Sequence, residues 1–261
     1  MPEGHTIHRA ARDQRPMLVG LPIAVSSPQG RFEAGALLLD GSICTAVEAF
    51  GKHLIYRFSS GQALHIHLGL FGRIRTGKTP ADEPRGAVRV RLVSPTHVVD
   101  INGPNTCEVL DDVGVSALTD RIGPDVLRAD AEPAIAWQRI SKSRAPIGQL
   151  LMDQSVMAGI GNIYRTEILW RQRVHPETPG RDIDRATFDR LWTDAVKLLA
   201  IGEKKNAIIT VDGATKSRSR YGERVNIFNK PSCPVCGSAI TQIELATRRV
   251  FLCAVCQPRC G

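Results

Sequence analysis

Two short cysteine pairs, Cys233-Pro-Val-Cys236 and Cys253-Ala-Val-Cys256, restrict the folding of this chain more than any other feature. Sixteen residues separate them, which lets a β-hairpin carry four thiolates to the corners of a tetrahedron. Zn²⁺ then sits about 2.3 Å from each sulfur. With sulfur at every corner no position stays open for water or substrate, so one structural zinc per chain is expected. A redox or fortuitous pattern is the alternative. Five of the seven cysteines lie between Cys233 and Cys260. The chain has no apolar run long enough to span a bilayer and no signal-peptide core. A reducing, cytoplasmic setting is therefore expected, where such clustering means metal rather than disulfides. Cys260 reads as a bystander, and Cys44 and Cys107 as small buried residues.

Ahead of that cluster the chain changes character once. Glu3 to Arg15 reads as a helix that Pro16 stops, with Ile7, Ala10, Ala11 and Gln14 on one side. From about Pro22 to Leu110 the pattern is strand-like. Ser42–Phe50, His53–Ser59, Ala63–Leu68, Val88–Val93 and Val98–Ile101 are the clear candidates, and a sandwich or barrel fits them. Proline and charge accumulate between Asp120 and Pro133, marking a boundary. Beyond it Asp184 can cap a helix carrying Phe188, Leu191, Trp192, Ala195, Leu198 and Leu199, ended by Gly202. The fold class is α+β. The expected domains are an N-terminal helix with a β-sandwich over residues 1–125, a helical domain over 131–220, and a zinc finger over 225–261.

Charge narrows the partners. Lys and Arg number 34 against 26 Asp and Glu, a net +8, which suits nucleic acid or an anionic membrane surface as well as a merely basic soluble protein. Thr247-Arg248-Arg249 fall on the second half of the cysteine hairpin, where metal-held rigidity would aim an arginine at a phosphate; a solvated surface charge is the plainer reading. Gln149–Gln154 reads as a helix leading into Gly159-Ile-Gly161-Asn162-Ile-Tyr164. Asn162 suits an N-cap, and the amides there form an anion site unless the glycines serve packing alone. Basic residues recur in Lys216–Arg220. His5, His8, His65 and His67 are expected to be hydrogen-bonded or exposed rather than a second metal cluster.

Three segments together resemble the formamidopyrimidine-DNA glycosylase and endonuclease VIII family, closer to the endonuclease VIII branch. They are Met1-Pro2-Glu3-Gly4, the stretch Gly148–Pro176 around Gly159 and Gly161, and Cys233–Cys256. The resemblance implies a helix–two-turns–helix motif, a zinc finger, and a monomer that binds damaged DNA near the nucleoid. It implies base-excision repair with lyase activity: Pro2 as nucleophile once Met1 is removed, Glu3 as general acid, and Lys52 of Gly51-Lys52-His53 as the catalytic hairpin lysine. Asn162 and Arg248 would grip phosphates, with Gly159 and Gly161 shaping the approach, and Leu70 and Phe71 would wedge into the stack unless they are core residues at a strand end. The chemistry agrees. A terminal amine titrates near 8, about two units below lysine. A secondary amine also yields an obligatory iminium, an electron sink for eliminating the flanking phosphates. Glu3 must be desolvated to donate a proton, and is expected to be largely buried once DNA is bound.

The sequence departs from the family at His5-Thr6, where Pro-Glu is usual. Asn102–Thr106 lacks the arginine–phenylalanine pair of the purine-directed branch, and the loop from Asp212 to Gly222 is short for capping 8-oxoguanine. These departures lean toward oxidised pyrimidines. The competing readings are a purine-directed glycosylase and a non-catalytic damage-binding paralogue.

Overall fold

The computed structural model describes residues 2–216 and 221–259. It divides into two compact units, the first ending at Arg121 and the second beginning at Ile122. Arg218, Arg220 and Cys260 lie outside the described residues.

In the first unit, α1 (Gly4–Leu18) buries Ile7, Ala11, Gln14 and Leu18 along one side. The stop expected at Pro16 does not occur. Proline forfeits one helical hydrogen bond and crowds the preceding turn. Yet Leu18 is wholly buried, and the Val19 N–H closes onto the Arg15 carbonyl at 3.0 Å, while Pro16 faces solvent. Burying a leucine is worth about 1.5–3 kcal/mol, which offsets much of the roughly 3 kcal/mol that a proline inside a helix costs.

There follow β1 (Ala24–Ser26), α2 (Glu33–Leu39), β2 (Cys44–Phe50), β3 (His53–Phe58) and β4 (Ala63–His67). Next come β5 (Arg73–Lys78), β6 (Val88–Val93), β7 (His97–Asn102), β8 (Thr106–Leu110) and α3 (Asp112–Asp120). The strands form two antiparallel four-stranded sheets, ordered β1-β6-β7-β5 and β2-β3-β4-β8. Val47, Leu54, Tyr56, Leu64 and Ile66 of one sheet share a core with Val90, Leu92, Val99 and Ile101 of the other, and with Ile7 and Leu18 of α1. This is the sandwich the alternation implied. The Tyr56 hydroxyl, buried within it, donates to Gln14 Oε1 at 2.6 Å, so Gln14 belongs on the inward face despite its polarity.

Helix α2 interrupts the stretch read as strands. Its sequence has no β-branched residue, and Gly35 lets the Phe32 ring close over it: a Cβ there would lie 2.2 Å from Phe32 Cε2. Strands β1, β5 and β8 lie at sheet edges and carry weak patterns; β5, with two arginines and a lysine, is almost wholly turned to solvent.

The second unit contains α4 (Pro133–Ser141), α5 (Ile147–Leu150), α6 (Asn162–Arg171), α7 (Arg185–Lys205), β9 (Thr241–Leu245) and β10 (Arg248–Leu252). Its core gathers Ile140, Ile147, Ile160, Tyr164, Phe188 and Leu198. The helix expected over Gln149–Gln154 is one turn ending at Leu150. Asp153 Oδ1 accepts from both the Ser155 N–H (2.8 Å) and its hydroxyl (2.7 Å), a local turn that outcompetes helix. Asp184 caps α7 as expected, accepting from the Thr187 N–H at 2.6 Å. The helix does not end at Gly202. That glycine is buried, and Asn206 takes the left-handed cap at φ 50°.

Candidate functional site

In the first unit, Glu3 occupies the N-cap position of α1 with extended backbone, but its carboxylate makes no capping bond to the helix. It is 0% exposed, while Pro2 beside it is half-buried. Burial of Glu3 therefore does not wait for DNA, as the sequence had suggested, because Gly4 and His5 at the start of α1 are buried with it. His5 is held down to about 4 by that burial and is neutral near pH 7.

Lys52 stands at the tip of a two-residue hairpin between β2 and β3, closed by the pair Phe50 and His53. Gly51 supplies a φ of 59°, the left-handed conformation that such a tight turn needs. Leu70 and Phe71 sit in the turn after β4, where the Gly72 N–H reaches the Leu68 carbonyl at 3.0 Å. A Cβ on Gly72 would stand 2.3 Å from that oxygen, so only glycine closes the loop. Leu70 is 42% and Phe71 85% exposed, which rules out the core alternative for both. Cys44 is buried as expected and Cys107 is half-buried.

In the second unit, Gly159 has φ 92°, a backbone conformation that favours glycine, and its N–H donates to Gln154 Oε1 at 3.0 Å. Gln154 Nε2 in turn donates to the carbonyls of Met152 (2.9 Å) and Ile160 (3.1 Å), so one side chain staples the turn. Gly161, with ordinary extended backbone, is the N-cap of α6. Asn162 is thus the first helical residue rather than the cap. Its amide Nδ2 donates to the Arg249 carbonyl at 3.0 Å, and its Oδ1 accepts from Arg165 Nη2. The structure thereby brings Asn162 next to the hairpin that carries Arg248. Arg248 itself is exposed at the end of that hairpin.

Two charged residues of α6 had no sequence signal that set them apart. Arg165 is fully buried and donates from Nη1 to the Gly148 carbonyl at 3.0 Å, fixing the orientation of Asn162. Glu167, also fully buried, accepts from the N–H groups of Asn226, Ile227 and Phe228 at 2.7, 2.9 and 2.8 Å. It further accepts from Thr210 Oγ1 (2.5 Å) and Asn226 Nδ2 (2.9 Å), which anchors the segment leading into the cysteine hairpin. A buried carboxylate with that many donors is fully compensated for its lost hydration. Only the polar interruption of an apolar helix could have flagged either residue.

Cys233, Cys236, Cys253 and Cys256 bring their sulfurs within 4.8 Å of one another. The separations of 3.4, 3.6 and 3.8 Å compare with edges of about 3.8 Å for a zinc–thiolate tetrahedron. Both knuckles turn alike: the Gly237 N–H bonds the Cys233 carbonyl (3.0 Å) and the Gln257 N–H the Cys253 carbonyl (2.8 Å). The four thiols fit a metal ion. Gln257, buried, also donates from Nε2 to the Val174 carbonyl at 2.7 Å, tying the knuckle to the end of the α6 segment.

Comparison with known proteins gives this architecture its class. The pattern of the formamidopyrimidine-DNA glycosylase N-terminal domain matches residues 1–106, and that of the formamidopyrimidine-DNA glycosylase H2TH domain matches residues 122–212. The chain belongs to the formamidopyrimidine-DNA glycosylase family, whose members are base-excision-repair enzymes. Within it, Endonuclease 8 1 of Mycobacterium tuberculosis is 44% identical over 98% of this chain and 100% of its own length. Formamidopyrimidine-DNA glycosylase of Chloroflexus aggregans is 31% identical over 98% of each chain. The Lactococcus lactis Fpg, solved in complex with an abasic site containing DNA, shares the fold with a TM-score of 0.82 at 23% identity, covering 99% of this chain and 100% of that one. Among the described residues no helix is long and apolar enough to cross a membrane.

Proposed function

We propose that this chain excises oxidised bases, pyrimidines foremost, from damaged DNA and then cleaves the strand at the resulting abasic site. The observation that carries the reading is the pairing of a half-open Pro2 with a wholly buried Glu3 at the start of α1. After removal of Met1, the imino group of Pro2 attacks the anomeric carbon of the lesion sugar. Glu3, desolvated, is the acid that protonates the opening ring. The base leaves, and the iminium draws off the electrons of successive β- and δ-eliminations. Lys52 supplies positive charge at the hairpin tip.

The target must leave the stack for this chemistry. Leu70 and Phe71, solvent-facing on a loop that glycine holds tight, fill the vacated space in this reading. Asn162 and Arg248 hold phosphates, and the turn at Gly159 and Gly161 lets the strand approach α6 closely. Zn²⁺ on Cys233, Cys236, Cys253 and Cys256 fixes the hairpin that presents Arg248.

Borohydride reduction in the presence of thymine-glycol or abasic duplex tests the proposal. A covalent adduct is expected with Met1-processed protein, weakened in Pro2→Gly. Glu3→Gln should lose base release while keeping DNA binding. No adduct from a chain whose terminus is shown by mass spectrometry to be Pro2 overturns it. The named Formamidopyrimidine-DNA glycosylase relatives supply the reason to run 8-oxoguanine beside thymine glycol: faster excision of the purine would reverse the stated preference.

A further inference from the structure

Four polar side chains on the outer face of the sheet β2-β3-β4-β8 have no role in the reading above. His53 stands opposite His67, and His65 opposite Glu108, so all four share the face turned away from Leu54, Leu64 and Ile66 of the core. Glu108 is half-exposed on the edge strand β8, and its Oε1 lies 2.8 Å from Nδ1 of the buried His65. A carboxylate accepts, so His65 Nδ1 carries a proton, and in the neutral ring its Nε2 has the lone pair. That Nε2 lies 2.9 Å from His53 Nδ1, which must therefore donate. The carboxylate thus sets both tautomers and leaves His53 Nε2 as a bare acceptor. The His53 ring stacks against His65 at 5.1 Å and leans on His67 at 5.0 Å.

The charged groups bearing on this chain are Lys52 from the hairpin tip and Arg121 beyond α3, with Glu108 the opposing anion. Arg57 on the same strand as His53 is neutralised by Glu48 and Asp112. Burial, then the neighbouring imidazoles, Arg121 and Lys52, hold His53 down to about 3. Burial, then Lys52 and His65, lower His67 too. Without an added anion neither His53 nor His67 is positively charged at neutral pH.

We propose that Glu108, His65 and His53 form a proton-coupled phosphate contact beside Lys52. When a DNA phosphate reaches Lys52, one proton from solvent binds His53 Nε2. The proton on His53 Nδ1 passes to His65 Nε2, and the positive charge comes to rest on His65 against Glu108. His53 ends neutral, now donating Nε2–H to the phosphate. One proton is taken up and no other bond changes. The anion favours this step by Coulomb attraction, and Glu108 offsets the cost of a buried imidazolium. Since binding takes up a proton, affinity rises as pH falls. His65 and Glu108 are positioning residues that act through His53. The inference rests on Lys52 facing the lesion strand.

Calorimetric titration of the full chain with a duplex holding a tetrahydrofuran abasic analogue, which Pro2 cannot open, measures the linkage. Run near pH 7 in buffers of different ionisation heat, it should show uptake approaching one proton. The Kd should weaken as pH rises, by up to about tenfold per pH unit for a full proton. Glu108→Gln and His65→Asn should both reduce the uptake and flatten that slope. Glu108→Gln alters a half-exposed edge residue, so an unchanged melting temperature separates its effect from misfolding. Heats independent of buffer in the wild type, or uptake unchanged in both variants, overturn the inference. A borohydride adduct formed on natural abasic DNA in that event leaves the Pro2 reading standing. Absence of both binding and adduct removes the two together.

Discussion

Arg248 and Asn162 illustrate how residues distant in sequence acquire a joint role. The Asn162 amide, oriented by the buried Arg165, bonds the carbonyl of Arg249 and so fixes the start of α6 against the strand that carries Arg248. Arg248 is itself exposed, so its truncation leaves no buried hole. Arg248→Ala is expected to weaken DNA binding by about 1–3 kcal/mol, the value of a charge-assisted contact to phosphate, with no loss of thermal stability. Fluorescence anisotropy with lesion duplex, paired with a melting curve, checks both halves. Glu167 is the opposite case: it faces no solvent and its carboxylate organises three successive backbone amides, so its work is architectural.

The cysteine hairpin joins β9 to β10 through Ala246 and Thr247, which have φ of 49° and 60°. Both angles are left-handed, as a two-residue hairpin turn demands, and a β-branched threonine pays steric strain there. Replacing Ala246-Thr247 by Asn-Gly should relieve that strain and stabilise the hairpin by about 1 kcal/mol. A higher midpoint of metal-retaining unfolding, followed by a zinc-release dye, would bear this out; a lower one would mean that the Thr247 side chain is needed elsewhere. Helix α1 makes a related point, since Pro16 sits inside it and tolerance of the proline depends on Leu18 reaching the core.

Over the whole molecule, burial of neutral imidazoles sets the response to acid. His5 is lowered to about 4 and His53 to about 3, against 6.5 when unfolded. The unfolded chain therefore takes up protons first. The stability these histidines contribute is complete above pH 6.5 and is lost as pH falls from there toward the folded values. Urea midpoints should decline over that window, and His5→Gln should decline less steeply than the wild type. Equal slopes would place the acid sensitivity in other groups, the thiolates of the metal site foremost.

Much of this was written in local pattern. Alternating Val88, Val90 and Leu92 announced a half-buried strand, Asp184 a helix start, and two Cys-x2-Cys pairs a metal-bearing hairpin, because periodicity, capping and ligand spacing are properties of neighbouring residues. The pattern misled where a distant partner decided the outcome. Leu18 drew α1 past its proline, Phe32 closed on Gly35 to make a helix among strands, and Asp153 ended a helix by accepting from Ser155 two residues on. The spacing of the cysteines supplied the metal ligands, and the family resemblance of the sequence supplied Pro2, Glu3 and Lys52 as candidates. Only the fold buried Glu3, turned Leu70 and Phe71 to solvent, and lined Glu108, His65 and His53 into one hydrogen-bonded chain, because cross-strand register sets His65 opposite Glu108, 43 positions on, and no local signal encodes it.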